Sequence, residues 1–117
     1  MTRKQALAEL IAKVEAGEVV QAIDARALWP EIGIWGEVCQ ASQGSLDAAK
    51  ALHDAVLPGW DWDVGIFADV TPHFEASVTQ HNAYGDVSFA AQGLANNPAR
   101  AWLLAILRAL HAQEAAE

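Results

Sequence analysis

One corner constrains the fold more than any other stretch. Within Ser45–Val70, SLDAAKALHDAVLPGWDWDVGIFADV, the apolar period changes from 3.6 to 2 across Pro58-Gly59. Before the corner, Leu46, Ala49, Leu52, Ala55 and Val56 recur at three- and four-residue spacing, which gathers them on one face of a helix. Ser45 supplies an N-cap hydroxyl, Asp47 puts negative charge at the positive end of the dipole, and Lys50 and Asp54 stand at i,i+4. Pro58 disfavours the α conformation at Leu57 and Gly59 accepts a positive φ, so the helix stops there. Beyond it, Trp60, Trp62, Val64, Ile66, Ala68 and Val70 point one way, and Asp61, Asp63, Gly65, Phe67 and Asp69 the other. This is a strand with a dry and a wet face. Fully extended it would span about 36 Å, so a bulge or bend is expected at Gly65.

The segment before it, 1–44, reads as an N-terminal helix and a Trp-rich arm. Thr2 and Gln5 stand at capping-box spacing, Leu7, Leu10, Ile11 and Val14 form one stripe, and Gly17 closes a helix from Arg3 to about Ala16. A second short helix is expected within Glu18–Ala27. From Leu28 to Val38 the chain is punctuated by Pro30, Gly33 and Gly36 and reads as irregular. Trp29, Ile32, Ile34 and Trp35 give this arm more apolar surface than a loop shows to water. Either it folds back over its own sheet, or it forms a protein interface with a second copy or a partner, since aromatic residues anchor interfaces. The expectation is a homo-oligomer built through it.

After the long strand, Thr71-Pro72 makes a turn or kink, and Phe74, Ala76 and Val78 alternate into a second strand. The turn-rich Asn82–Asp86 leads into a third, with Val87, Phe89 and Ala91 on one side and Gly93 at its close. Asn97 is an N-cap and Pro98 the first helical residue of a helix running to about Gln113, apolar over most of its circumference. The tail after it is expected to fray. The fold class is therefore α+β: a three-stranded antiparallel meander flanked by helices. Residues 45–117 form an α-β-β-β-α core domain.

Seven basic against fifteen acidic residues give a net charge of −8, which repels phosphate backbones and argues against nucleic-acid binding. The order helix, three strands, helix also occurs in double-stranded-RNA-binding domains, but these need several cations at the start of the last helix, and Arg100 is alone there. The N-terminus has no secretory apolar core and no apolar run is of membrane length. With the single Cys39, a reducing host-cell cytoplasm is the expected location, with no membrane partner.

SLDAAKALHDAVLPGWDWDVG, followed by a strand region and NPARAWLLAILRALHAQ, resembles small phage- and prophage-encoded proteins that carry the phage ABA sandwich domain. The likeness covers about Ser45 to Ala112 and is most specific at Leu57-Pro58-Gly59-Trp60. It implies a sheet sandwiched by helices and a phage origin. It carries over no catalytic residue.

Asp61, Asp63 and Asp69 cluster on the wet face of the strand, and Asp61-x-Asp63-x-Gly65 faintly echoes a calcium loop, but a pleated strand spaces its carboxylates about 7 Å apart instead of converging them. His53, His73, His81 and His111 show no i,i+4 ligand pair and no neighbouring Cys, so neither metal nor cofactor is expected. The required G-x-S-x-G for a nucleophile elbow at Ser42 or Ser45 is absent. The most suggestive place is the start of the last helix, where free N–H groups bind anions and Arg100 adds a planar donor fork. Asn96 and Asn97 supply further donors, and Tyr84 and His81 an aromatic surface if they lie near. Arg108 is a further candidate, or else pairs with an acidic residue of the first helix. These residues suit a small phosphorylated or nucleotide-like ligand.

The leading expectation is a non-enzymatic phage protein that counters host defence by sequestering such a signal. The alternative is an acidic inhibitor of a host defence protein complex, anti-CRISPR-like. An enzyme of unknown chemistry has least support.

Overall fold

A computed structural model of the chain describes residues 2–66 and 74–116. Five helices and three strands follow in the order α1 (Arg3–Glu15), α2 (Ala22–Arg26), α3 (Ile32–Ser42), α4 (Leu46–Val56), β1 (Asp61–Ile66), β2 (Phe74–His81), β3 (Val87–Ala95) and α5 (Pro98–Ala116). The strands form one antiparallel sheet in the order β1-β2-β3, the expected α+β meander flanked by helices.

Local signals place the ends of these elements. Thr2 and Gln5 close the capping box of α1, Gln5 N–H donating to Thr2 Oγ1 at 3.1 Å and Thr2 N–H to Gln5 Oε1 at 2.9 Å. Ser45 Oγ accepts from Ala48 N–H at 3.1 Å, and Asn97 Oδ1 from Arg100 N–H at 2.8 Å. Gly59 has φ +83°, which ends α4 and sets the direction of β1. At the hairpin tip Asn82 Oδ1 accepts from Tyr84 N–H and Asp86 N–H.

α5 is the element the others enclose. Every side chain from Ala99 to Leu107 is buried. One side lies on the inner face of β2 and β3, and the others are covered by α1, α3 and α4. Gly93 permits the close approach: a Cβ there would stand 2.2 Å from Ala101 O and 2.6 Å from Leu104 Cβ. Gly93 thus lies inside β3, opposite Ala76, rather than at its close. Buried side chains from 1–44 (Leu7, Leu10, Val14, Val20, Trp29, Val38) and from 45–117 belong to one cluster.

Five local expectations are corrected. The run expected to be irregular contains α3, because Val38 and Ala41 are buried and Trp35 and Cys39 are half-buried on one side of it, and packing of that side outweighs two exposed glycines. The register of β1 on β2 is unbroken through Gly65, and the irregularity falls at Gln80/His81. The last helix continues to Ala116. The alternating ribbon does not share one dry interior: Trp60 is buried, but Trp62 is 45% and Ile66 73% exposed. α5 crosses β2 and β3 and reaches little of β1, so burial fades along the edge strand. On α4, Leu46 and Ala55 are exposed while Ala48 and His53 are buried. The calls on Phe67–His73, including Asp69, Val70 and the Thr71-Pro72 turn, lie outside the described residues.

Candidate functional site

Where α5 fails to cover β1, a groove of about 410 Å³ opens. Its floor is the aromatic pair Trp62 and Trp102, stacked with ring centroids 4.3 Å apart and planes 29° apart. Leu46, Asp47 and Lys50 at the start of α4 form one wall, and Val64, Ile66 and Phe74 continue the floor along the sheet. Leu46 is 45% exposed, so three large apolar side chains face solvent around one groove.

The floor is held rigid from behind. Trp102 Nε1–H donates to His53 Nδ1 at 3.2 Å, and His53 Nε2 lies 2.9 Å from Trp60 O. Because Nδ1 must accept, Nε2 carries the proton and donates; the two bonds fix a neutral imidazole in one tautomer. Among the described residues the groove is lined by one charge of each sign, Asp47 and Lys50, and Lys50 is paired with Asp54 at 2.7 Å; Asp61 and Asp63 stand on the opposite, outer face of β1. The bonded Lys50 ammonium holds the Asp54 carboxyl below the usual range against a small opposing effect of burial.

The residues expected to bind a phosphorylated ligand are not brought together. His81 and Tyr84 lie at the hairpin end of β3 and Asn96, Asn97 and Arg100 at the other, about 26 Å along the strand. Tyr84 is 91% exposed, and His81 Nδ1 lies 3.0 Å from Asp61. Arg100 turns inward and is buried. Its guanidinium donates to Val14 O at 2.6 Å, Glu18 O at 2.9 Å and Ser42 O, where α1 and α3 end. The charge thereby serves the negative ends of two helices. Burial pushes the guanidinium below its ordinary value, yet it stays charged. Beside it a recess of about 290 Å³ reaches Asn96, Leu94 and Gly17. Ser42 completes the junction: its hydroxyl donates to Cys39 O at 2.7 Å and accepts from Val20 N–H at 3.0 Å. Arg108 pairs with Glu15 of α1 at 2.6 Å and donates to Gln92 O, as its alternative reading expected.

Of the residues expected at a protein interface, Trp29 is buried with the Arg3 guanidinium 5.8 Å from its ring centroid, and its carbonyl accepts from Trp35 Nε1–H. Ile34 and Trp35 are half-buried against the core. Ile32 opens α3; its side chain lies outside what is described. Burial, and secondarily Asp24, push the Cys39 thiol above its ordinary value, away from nucleophilic character. Among the described residues, no three His, Cys, Asp or Glu side chains gather as a metal site, and no helix is long and apolar enough to cross a membrane.

Sequence reading missed the groove because it assigned Trp62 and Ile66 to the interior. The available signal was the length of the alternating ribbon, greater than one crossing helix can cover. No protein-family model, no curated protein and no solved structure matches the chain.

Proposed function

We propose that this chain is a non-enzymatic binding protein that docks a basic protein partner in the groove over Trp62 and Trp102. The observation that carries this reading is the cluster of Leu46, Trp62 and Ile66, exposed together around one groove in a chain of net charge −8. Apolar anchors supply affinity, and an acidic surround selects and steers a basic partner. Between the two occupants expected from sequence, the host protein is favoured over a nucleotide-like signal. Among the described residues the groove has one cation, Lys50, already paired, and Arg100 donates to main-chain carbonyls instead. The resemblance to phage-encoded proteins supports placing the partner in a host defence complex, an anti-CRISPR-like role in the host cytoplasm.

The test is phage challenge of bacteria carrying defined defence systems, with and without this chain. Wild type should raise plating efficiency against at least one system, and Trp62→Ser, of unchanged fold by circular dichroism, should not. No gain with any system, or a gain indifferent to Trp62, refutes the proposal. A thermal-shift screen with cyclic and linear nucleotides runs beside it; a shift there restores the small-ligand reading.

A further inference from the structure

We infer that the partner enters as an extended segment that adds to the free edge of β1 as a fourth strand, with basic and apolar side chains in alternation. This rests on the groove being the docking surface. β1 pairs with β2 alone, so its other edge is open among the described residues. An antiparallel strand of six residues leaves about three N–H and three C=O groups directed away from its partner. The devices that usually blunt such an edge are missing from β1: it has no Pro, Lys or Arg and no bulge, and its charges do not point inward.

What lies on either side of that edge sets the chemistry of the added strand. On the inner side it would run over the groove, where its alternate side chains meet Trp62, Val64 and Ile66 beneath Leu46 of α4. On the outer side it would run beside Asp61 and Asp63, about 7 Å apart on the pleat. Asp61 is shared with His81, and among the described residues Asp63 stands in no ion pair. Basic residues two apart, with apolar residues between and flanking them, match both sides. A helix fits less well: its body is about 10 Å across and would leave the row of main-chain groups without partners. A second copy would bring the same −8, and pairing β1 with itself about Asp63 sets Asp63 against its symmetry mate.

The experiment uses the full chain and three blocked peptides of about ten residues: alternating Lys and Val, the same composition at helical spacing, and alternating Asp and Val. The alternating Lys peptide should shift the Trp62 indole resonance and slow exchange of every second β1 amide by about tenfold or more. Its affinity should fall about tenfold in Trp62→Ser and about threefold in Asp61→Asn/Asp63→Asn, the latter loss shrinking in high salt. Ile66→Ser, at a 73% exposed position, repeats the groove test with no demand on the fold. Binding of the helical-pattern peptide without β1 protection overturns strand addition but leaves the groove as docking surface. Equal binding of the Asp peptide overturns the basic chemistry. Protection of β1 that rises with chain concentration alone replaces the partner with a second copy. No binding by any peptide, or binding indifferent to Trp62 and Ile66, overturns the groove as well.

Discussion

Replacing Arg100 with Met tests whether its guanidinium is a structural clamp. The substitution keeps the apolar stem and removes the donors to Val14 O, Glu18 O and Ser42 O. A hydrogen bond from a charged donor contributes about 1.5–3 kcal/mol, and a buried acceptor left unpaired costs about 1–3 kcal/mol. The three bonds share one side chain and Glu18 is exposed, so the sum overstates the loss. About 3–5 kcal/mol is expected, in line with removing one partner from a buried ionic contact. Against total stabilities of about 5–15 kcal/mol this is a large fraction, equivalent to a fall in Tm of about 15 °C. Arg100→Lys keeps the charge but not the planar fork and should recover less than half of the loss. Urea unfolding followed by circular dichroism, with the m-value unchanged, reads the difference. Lys50→Met is the control: its pair with Asp54 at 2.7 Å is solvent-exposed, so its loss should leave the urea midpoint close to wild type. If Arg100→Met stays within about 0.5 kcal/mol of wild type, the inward clamp is wrong and Arg100 returns as a ligand residue.

Two glycines should respond with opposite sign. Gly93→Ala drives a Cβ into Ala101 O and should cost about 3 kcal/mol or more, whereas Gly36→Ala, with nothing within 4 Å in α3, should stabilise by about 0.5–1 kcal/mol; equal effects in thermal melts would refute the close helix–strand crossing. His53→Phe leaves Trp60 O and Trp102 Nε1–H without partners and should destabilise by about 2–4 kcal/mol. Nitrogen shifts of His53 at neutral pH should report a protonated Nε2 and bare Nδ1; the opposite tautomer contradicts the buttress. Asp24 is penalised by burial, yet the Gln21 N–H and the Lys13 ammonium outweigh that and hold its carboxyl below the usual range. A depressed folded value means its stabilisation is full above the ordinary carboxylate range and lost as pH falls through and below it. The urea midpoint of Asp24→Asn should therefore lie below wild type at pH 7 and converge with it on acidification; a gap unchanged by pH would count against the pairing.

Arg100 stands out in the sequence because it follows Asn97 and Pro98 in a good helix start, and the cap itself is there. Where its side chain goes depends on Val14, Glu18 and Ser42, up to 86 residues away along the chain. Arg108 offered both readings, and Glu15 settled it from 93 residues off. In the Trp-rich arm Pro30, Gly33 and Gly36 signal irregular chain, but α3 exists because a neighbouring surface stabilises one side of it.

What the sequence determined by itself was the set of breaks and periods: the capping residues Thr2, Ser45 and Asn97, the Pro58-Gly59 corner, the Asn82 turn, and hence the meander between helices. These are settled within a few residues, because a capping or turn-forming side chain bonds main-chain groups two to four positions away. Only the tertiary structure decided that α5 is the enclosed element, that Arg100 faces two helix ends, and that Trp62 and Ile66 border a groove. Burial is a property of what lands on a surface, and one helix laid over β2 and β3 leaves the β1 edge of a three-stranded sheet largely uncovered.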